Sequence, residues 1–176
     1  MSILQRYLMV LVACIALLLG IQLPNVADQY AKRVDAHLRE VTINLQPFQI
    51  IANQYANGSI EELIALHRKS DVPPFRAEGS AIERLYQRKQ HFEAERKALQ
   101  GSLPARLLHI LWRPDVELRE QTLLQYSAVV PLNQEALIAG GVIALVVLLL
   151  IELAMALGRW LERIVTRWIK QRWRSA

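Results

Sequence analysis

The sequence predicts an all-α membrane protein. Two transmembrane helices flank an extracytoplasmic helical hairpin or small bundle, and a basic amphipathic helix closes the chain. Three observations lead there. Residues 136–158 form an apolar run with one charge, Glu152, which is long enough to cross a bilayer. A shorter apolar run covers residues 7–23. Between them, apolar residues recur at steps of three and four, and no alternating strand pattern occurs.

Residues 1–6 form a short N-terminus whose single charge is Arg6. The first apolar run, Tyr7 to Leu23, is at the short end for a span. Three readings compete for it. A cleaved signal peptide needs a small-residue cleavage site, and Leu19-Gly20-Ile21-Gln22-Leu23-Pro24 offers no clear one. Leu11-Val12-Ala13-Cys14 suggests a lipoprotein signal, but the apolar core continues past Cys14 through Ile15–Leu19. An uncleaved anchor fits the segment lengths best.

Residues 24–135 form the middle domain. From Asn25 to Asn57 the apolar positions are Val26, Tyr30, Val34, Leu38, Val41, Leu45, Phe48, Ile51 and Tyr55, a helical stripe. Asp28 to Lys32 and Asp35 to Arg39 are expected i,i+4 pairs on its wet face. Pro47 is expected to kink or split this helix near Gln46, and Asn57-Gly58 to stop it. Ser59 opens a capping box with Glu62 ahead of a short helix, Ile60–Lys69. After the turn at Ser70–Pro74, a second long helix should run from Phe75 to Gln100. Ile82, Leu85, Tyr86, Phe92 and Leu99 form its apolar side. Leu103–Trp112 reads as a short helix with Pro104 in its first turn, and Asp115 as the cap of Val116–Tyr126. Asn133 should cap the second span.

The basic excess is confined to the ends. Residues 24–135 hold 14 Lys+Arg against 14 Asp+Glu, whereas residues 136–176 hold six basic and two acidic residues. The net charge of +5 is therefore a topology signal rather than a nucleic-acid footprint. Basic flanks mark the cytoplasmic side, which puts both termini there and the middle domain outside. The expected location is the inner membrane of a bacterium.

In the tail, residues 159–176, the basic positions Arg159, Arg163, Arg167, Lys170 and Arg174 share one helix face. Trp160, Trp168 and Trp173 accompany them. Such a helix suits an anionic lipid surface, with docking of a cytoplasmic protein as the alternative. Ala136, Gly140 and Ala144 recur every fourth residue, as do Ala16 and Gly20 in the first run. Small residues at this spacing let helices approach closely, either between the two spans or in a homodimer. Glu152 is the unusual residue. It is either a functional contact inside the membrane or a carboxylate that is hydrated near the interface or paired with Arg159 or Arg6.

Nothing in the sequence points to chemistry. The one cysteine excludes an internal disulfide and a cysteine metal site. His67/Asp71 and His91/Glu95 have i,i+4 spacing, but neither has a second local pair. The histidines are expected to be solvated or partner-free, with no metal and no cofactor. There is no phosphate loop, dinucleotide fingerprint or Gly-x-Ser-x-Gly.

Several short marks are shared with a known family. They are Gln22-Leu23-Pro24 with Gln29-Tyr30, Asp71 to Phe75 followed by Gly79, and Val130-Pro131-Leu132. In these the chain resembles a family of short bacterial inner-membrane proteins classed only as a domain of unknown function. The resemblance implies a two-span protein with an external helical domain, and no activity, cofactor or catalytic residue. The expectation is a non-enzymatic protein that binds an envelope partner or itself. The alternatives are a sensory input module and an accessory subunit of a transporter or envelope enzyme complex.

Overall fold

A computed structural model describes residues 3–131 and 133–174, with side chains described up to Leu161 and at Arg163. The protein is all-α. Among the described residues six helices follow in order: α1 (Ile3–Tyr55), α2 (Ile60–Arg68), α3 (Pro73–Ala98), α4 (Leu103–Trp112), α5 (Val116–Leu124) and α6 (Gln134–Arg174). The chain forms two compact units, Met1–Asn25 with Ala128–Ala176, and Val26–Ser127.

In the first unit, the beginning of α1 packs antiparallel on α6. Both α1 and α6 are long and apolar enough to cross a membrane. Asn133 caps α6 as expected, its Oδ1 accepting the Ala136 N–H at 2.8 Å. The basic tail is not a separate helix: α6 continues from the apolar run to Arg174 without a break. No proline or glycine follows Gly158 to stop it.

The second unit has two apolar clusters along α1. One gathers Ala27, Tyr30, Val34, Leu38 and Val41 of α1 with Phe92, Leu99, Ile110 and Leu118 from beyond α2. The other joins Leu45, Ala52 and Ala56 to Ile60, Leu63 and Ile64 of α2 and Ile82 of α3. The expected stripe therefore holds through Leu45 and then shifts. Ile51 and Tyr55 are exposed, and Ala52 and Ala56 are buried in their place. Small side chains here let α2 fold back against the end of α1.

Pro47 does not split α1, which is helical from Ile3 to Tyr55 through both Pro24 and Pro47. Each proline removes one intrahelical bond, but packing of Leu45 and Ala52 on either side of Pro47 holds the helix to its course. The expected i,i+4 pairs are also replaced. Asp28 takes Arg106 of α4 at 3.1 Å, and Asp35 takes Arg96 of α3 at 3.1 Å. These ties join helices distant in sequence.

The short-helix caps match the sequence. Ser59 Oγ accepts the Glu62 N–H at 3.1 Å, and Asp115 Oδ1 accepts the Leu118 N–H at 2.9 Å. The box at Ser59 is not reciprocal: the Glu62 carboxylate accepts from Asn57 Nδ2 instead. Asn57 and Gly58 adopt positive φ, at 49° and 81°, which turns the chain from α1 into α2.

Candidate functional site

The small residues of the two apolar helices meet. A Cβ built on Gly20 would lie 2.7 Å from the Gly140 Cα and 3.0 Å from the Ala139 carbonyl oxygen. One built on Gly140 would meet the Leu17 carbonyl oxygen at 2.9 Å. The backbones are therefore in direct contact, and only glycine fits at either position. Ala16 and Ala136 are buried in the same unit, and Ala144 is half-buried. Gly141, the next residue, is different. A Cβ there would meet nothing within 4 Å.

Beyond this seam, polar side chains of α1 hold the segment that precedes α6. Gln22 Nε2 and Asn25 Nδ2 both donate to the Val129 carbonyl, at 3.4 and 3.3 Å. In the second unit, Gln29 pairs with the Ser127 backbone in both directions: its Nε2 donates to the Ser127 carbonyl at 2.9 Å, and its Oε1 accepts the Ser127 N–H at 3.3 Å. The amide thus substitutes for a peptide group in satisfying a non-helical backbone.

The second unit also contains a polar cluster inside its core. Tyr30 is fully buried, and its hydroxyl donates to Glu95, a carboxylate that is itself only 7 % exposed. His109 Nε2 approaches the same Glu95 oxygen at 2.9 Å. The Asp115 N–H donates to the Tyr30 hydroxyl at 3.0 Å and lies 3.3 Å from Glu95. Asp115 in turn accepts from His91 at 2.8 Å. One carboxylate therefore ties α1, α3, α4 and the turn into α5. Burial and the adjacent Glu95 charge push the Tyr30 phenol well above its usual value. Burial also pushes the Asp115 carboxyl up. Hydrogen bonds from the Leu118 N–H and His91 outweigh it, and the group titrates below its usual range.

The histidines are consequently not partner-free. His109 and His91 belong to this cluster, His67 Nδ1 donates to the Leu63 carbonyl at 2.9 Å, and His37 lies 3.4 Å from Gln121 Oε1. Periodicity marks Tyr30 as core, and nothing local shows that Glu95 is turned inward with it. The partners are 65 residues apart. No group of three or more His, Cys, Asp or Glu among the described residues is placed to hold a metal ion.

Glu152 is exposed on α6, at a groove lined by Leu149, Leu153, Met155, Ala156 and Arg159. Its side chain forms no ion pair with Arg159 or Arg6 among the described residues. Arg159, Trp160 and Arg163 are exposed. The side chains of Arg167, Trp168, Lys170, Trp173 and Arg174 lie outside the described residues, as does Leu132 of the shared marks.

A second groove, of about 510 Å³, lies between α2 and α3. Glu61, Arg68, Lys69, Glu83, Tyr86 and Gln90 contribute to its walls. Arg68 pairs with Glu83 across it, and the Tyr86 hydroxyl donates to Glu61. Gly79 sets the helix separation here, since a Cβ on it would lie 2.9 Å from the His67 Cβ.

Comparison with curated proteins finds no match, and neither does comparison with solved structures. A family model described as "Protein of unknown function (DUF2937)" matches residues 4–163. That range takes in both apolar helices, the glycine seam, the Gln29 clamp and the Tyr30–Glu95 cluster, and the chain belongs to the DUF2937 family.

Proposed function

We propose that this chain is a two-span membrane protein of the bacterial inner membrane, with both termini in the cytoplasm. Its helical segment, residues 24–135, would lie outside and act as a non-enzymatic interaction or assembly domain for an envelope partner or a second copy. The observation that supports the membrane reading most is how little of the apolar helices the chain itself covers. Only 11 % of the most apolar window of α6 is buried, and 22 % of that of α1. A core helix of a soluble protein would be mostly covered. These two are packed on each other by glycine and present leucine and valine elsewhere, which is what lipid requires.

Arg159 and Arg163 at the end of the apolar run support the orientation, since basic side chains mark the cytoplasmic side, and Trp160 beside them suits a membrane interface. Anionic lipid would be the partner of that end. The experiment is a topology map of the full chain in cells. Reporter fusions at the C-terminus should report cytoplasm, and one at Gly101 should report the opposite side. The same side for both would sink the proposal.

One observation favours the sensory alternative. The groove between α2 and α3 has the volume of a small-molecule site. Its walls are mixed in charge and already paired across it, so the interaction reading stands first. A small polar ligand that raises the melting temperature of the protein, and loses that effect in Arg68→Ala, would reverse the order.

A further inference from the structure

We propose that a second copy of this chain docks on the open face of α6, with Glu152 of each copy paired to Arg6 of the other. The proposal rests on the two-span reading above.

Glycine gives α6 two faces. Gly140 lies on the face filled by α1, and Gly141 lies roughly 100° around the helix. Gly141, Leu145, Glu152, Ala156 and Arg159 follow one another at steps of four, seven, four and three residues, and all are exposed. They form a second helix-packing face that is left exposed among the described residues. It has a glycine with open space above it at one end and a groove beside Ala156 at the other. A face of this kind accepts a helix closely.

Charge decides which helix. Glu152 is the one charged residue of the second apolar run, and Arg6 is the one charged residue among the first 23. Both are exposed, and the side chain of neither is paired with any described residue. The Gly20–Gly140 contact fixes the antiparallel register. Arg6 precedes Gly20 by fourteen residues and Glu152 follows Gly140 by twelve, so along their helices they lie about 21 and 18 Å from the contact. The two charges therefore fall at nearly one depth, near the cytoplasmic end. A carboxylate in that setting is costly unless it meets a partner.

A second copy supplies the matching charge at the matching depth. In a two-fold pair each α6 would take its own α1 on the Gly140 face and the partner copy's α1 on the Gly141 face. Both Glu152–Arg6 contacts would then form at once, as a closed symmetric interface requires.

The test uses the full chain in lipid vesicles, with donor or acceptor fluorophores fused to the C-terminus. Energy transfer between copies is read as lipid is added. Wild type should show transfer that falls on dilution. Arg6→Glu alone and Glu152→Arg alone should each weaken the pair at least about tenfold. An equal mixture of the two variants should restore it, because their heterodimer has opposite charges at both contacts. Restoration in the mixture separates pairing between copies from pairing within one chain or with lipid headgroups. Gly141→Leu, which leaves both charges and the α1 seam in place, should also abolish transfer.

Three results overturn the proposal: a monomeric wild type, single variants that pair as wild type does, or a mixture that stays monomeric. Alkaline carbonate extraction is run first. Release of wild type from the membrane would overturn the two-span reading itself. A retained but monomeric chain would overturn only the dimer.

Discussion

The buried Tyr30 hydroxyl donates to Glu95, a carboxylate from the other long helix of its unit that is nearly as buried. Around this pair the polar groups of four segments converge, with His109 on the same oxygen and the Asp115 N–H on the tyrosine. Burying a carboxylate is unfavourable unless donors surround it. The cluster is thus a specific joint: α4 and the start of α5 are held to α1 and α3 by donors that fit only this arrangement.

Tyr30→Phe removes the donor to Glu95 and the acceptor of the Asp115 N–H, while keeping the ring in the core. The expected loss is about 1–3 kcal/mol, the range for leaving buried polar groups unsatisfied. Denaturant unfolding of the full chain in detergent checks it. A variant within 0.3 kcal/mol or so of wild type would show that water replaces the hydroxyl.

The pH dependence has a defined sign at each end. Tyr30 titrates above its usual value of 10.0 in the folded chain. Its contribution is fully present below that value and is lost as pH rises through the folded value. Asp115 titrates below its usual value of 3.8. Its contribution is present above that value and is lost as pH falls through the folded one. Melting temperature should therefore fall at both extremes. Tyr30→Phe should flatten the alkaline limb and Asp115→Asn the acid limb. An alkaline limb unchanged in Tyr30→Phe would refute the assignment.

The glycine seam predicts a steep size dependence. Gly20→Ala and Gly140→Ala each place a methyl against backbone that cannot yield, so α1 and α6 must separate. The expected cost is about 1–3 kcal/mol. Gly158→Ala, which meets open space, should be neutral or slightly stabilising. Unfolding by increasing denaturing detergent compares the three. Equal behaviour of Gly20→Ala and Gly158→Ala would mean that the helices are not in contact.

Much of this structure was legible in the residues themselves. Helix starts at Ser59, Asp115 and Asn133 were readable because a cap is a local bond between neighbours. The small residues at Gly20 and Gly140 were readable as packing positions, and their mutual contact is the simpler of the two outcomes their spacing allowed. What the sequence could not show is long-range. Glu95 sits among charged neighbours in a helix whose wet face looks the same, and the groups that turn it inward, Tyr30, His109 and the Asp115 N–H, all lie far from it in sequence. Asp28 and Asp35 each had a nearby cation at good spacing, yet tertiary packing offered Arg106 and Arg96 instead. The family marks gain a physical meaning here. Gln22 and Gln29 clamp the chain before α6, Tyr30 organises the buried cluster, and Gly79 sets the approach of α2 to α3.

Pro47 offers a last prediction, because the helix runs through a residue that should have broken it. The ring cannot donate to the Ile43 carbonyl, so one bond of α1 is missing at an exposed position. The flanking Leu45 and Ala52 are buried, and their packing compensates for the missing bond. If that account is right, Pro47→Ala restores the bond without disturbing any contact and raises stability by about 1–3 kcal/mol. A helix built around the proline would show the reverse, a loss of stability in Pro47→Ala. Denaturant unfolding together with the copy-to-copy energy transfer measurement separates these. A stabilised variant that still pairs as wild type would mark Pro47 as a tolerated defect, and a destabilised one would show that the helix is built around the proline.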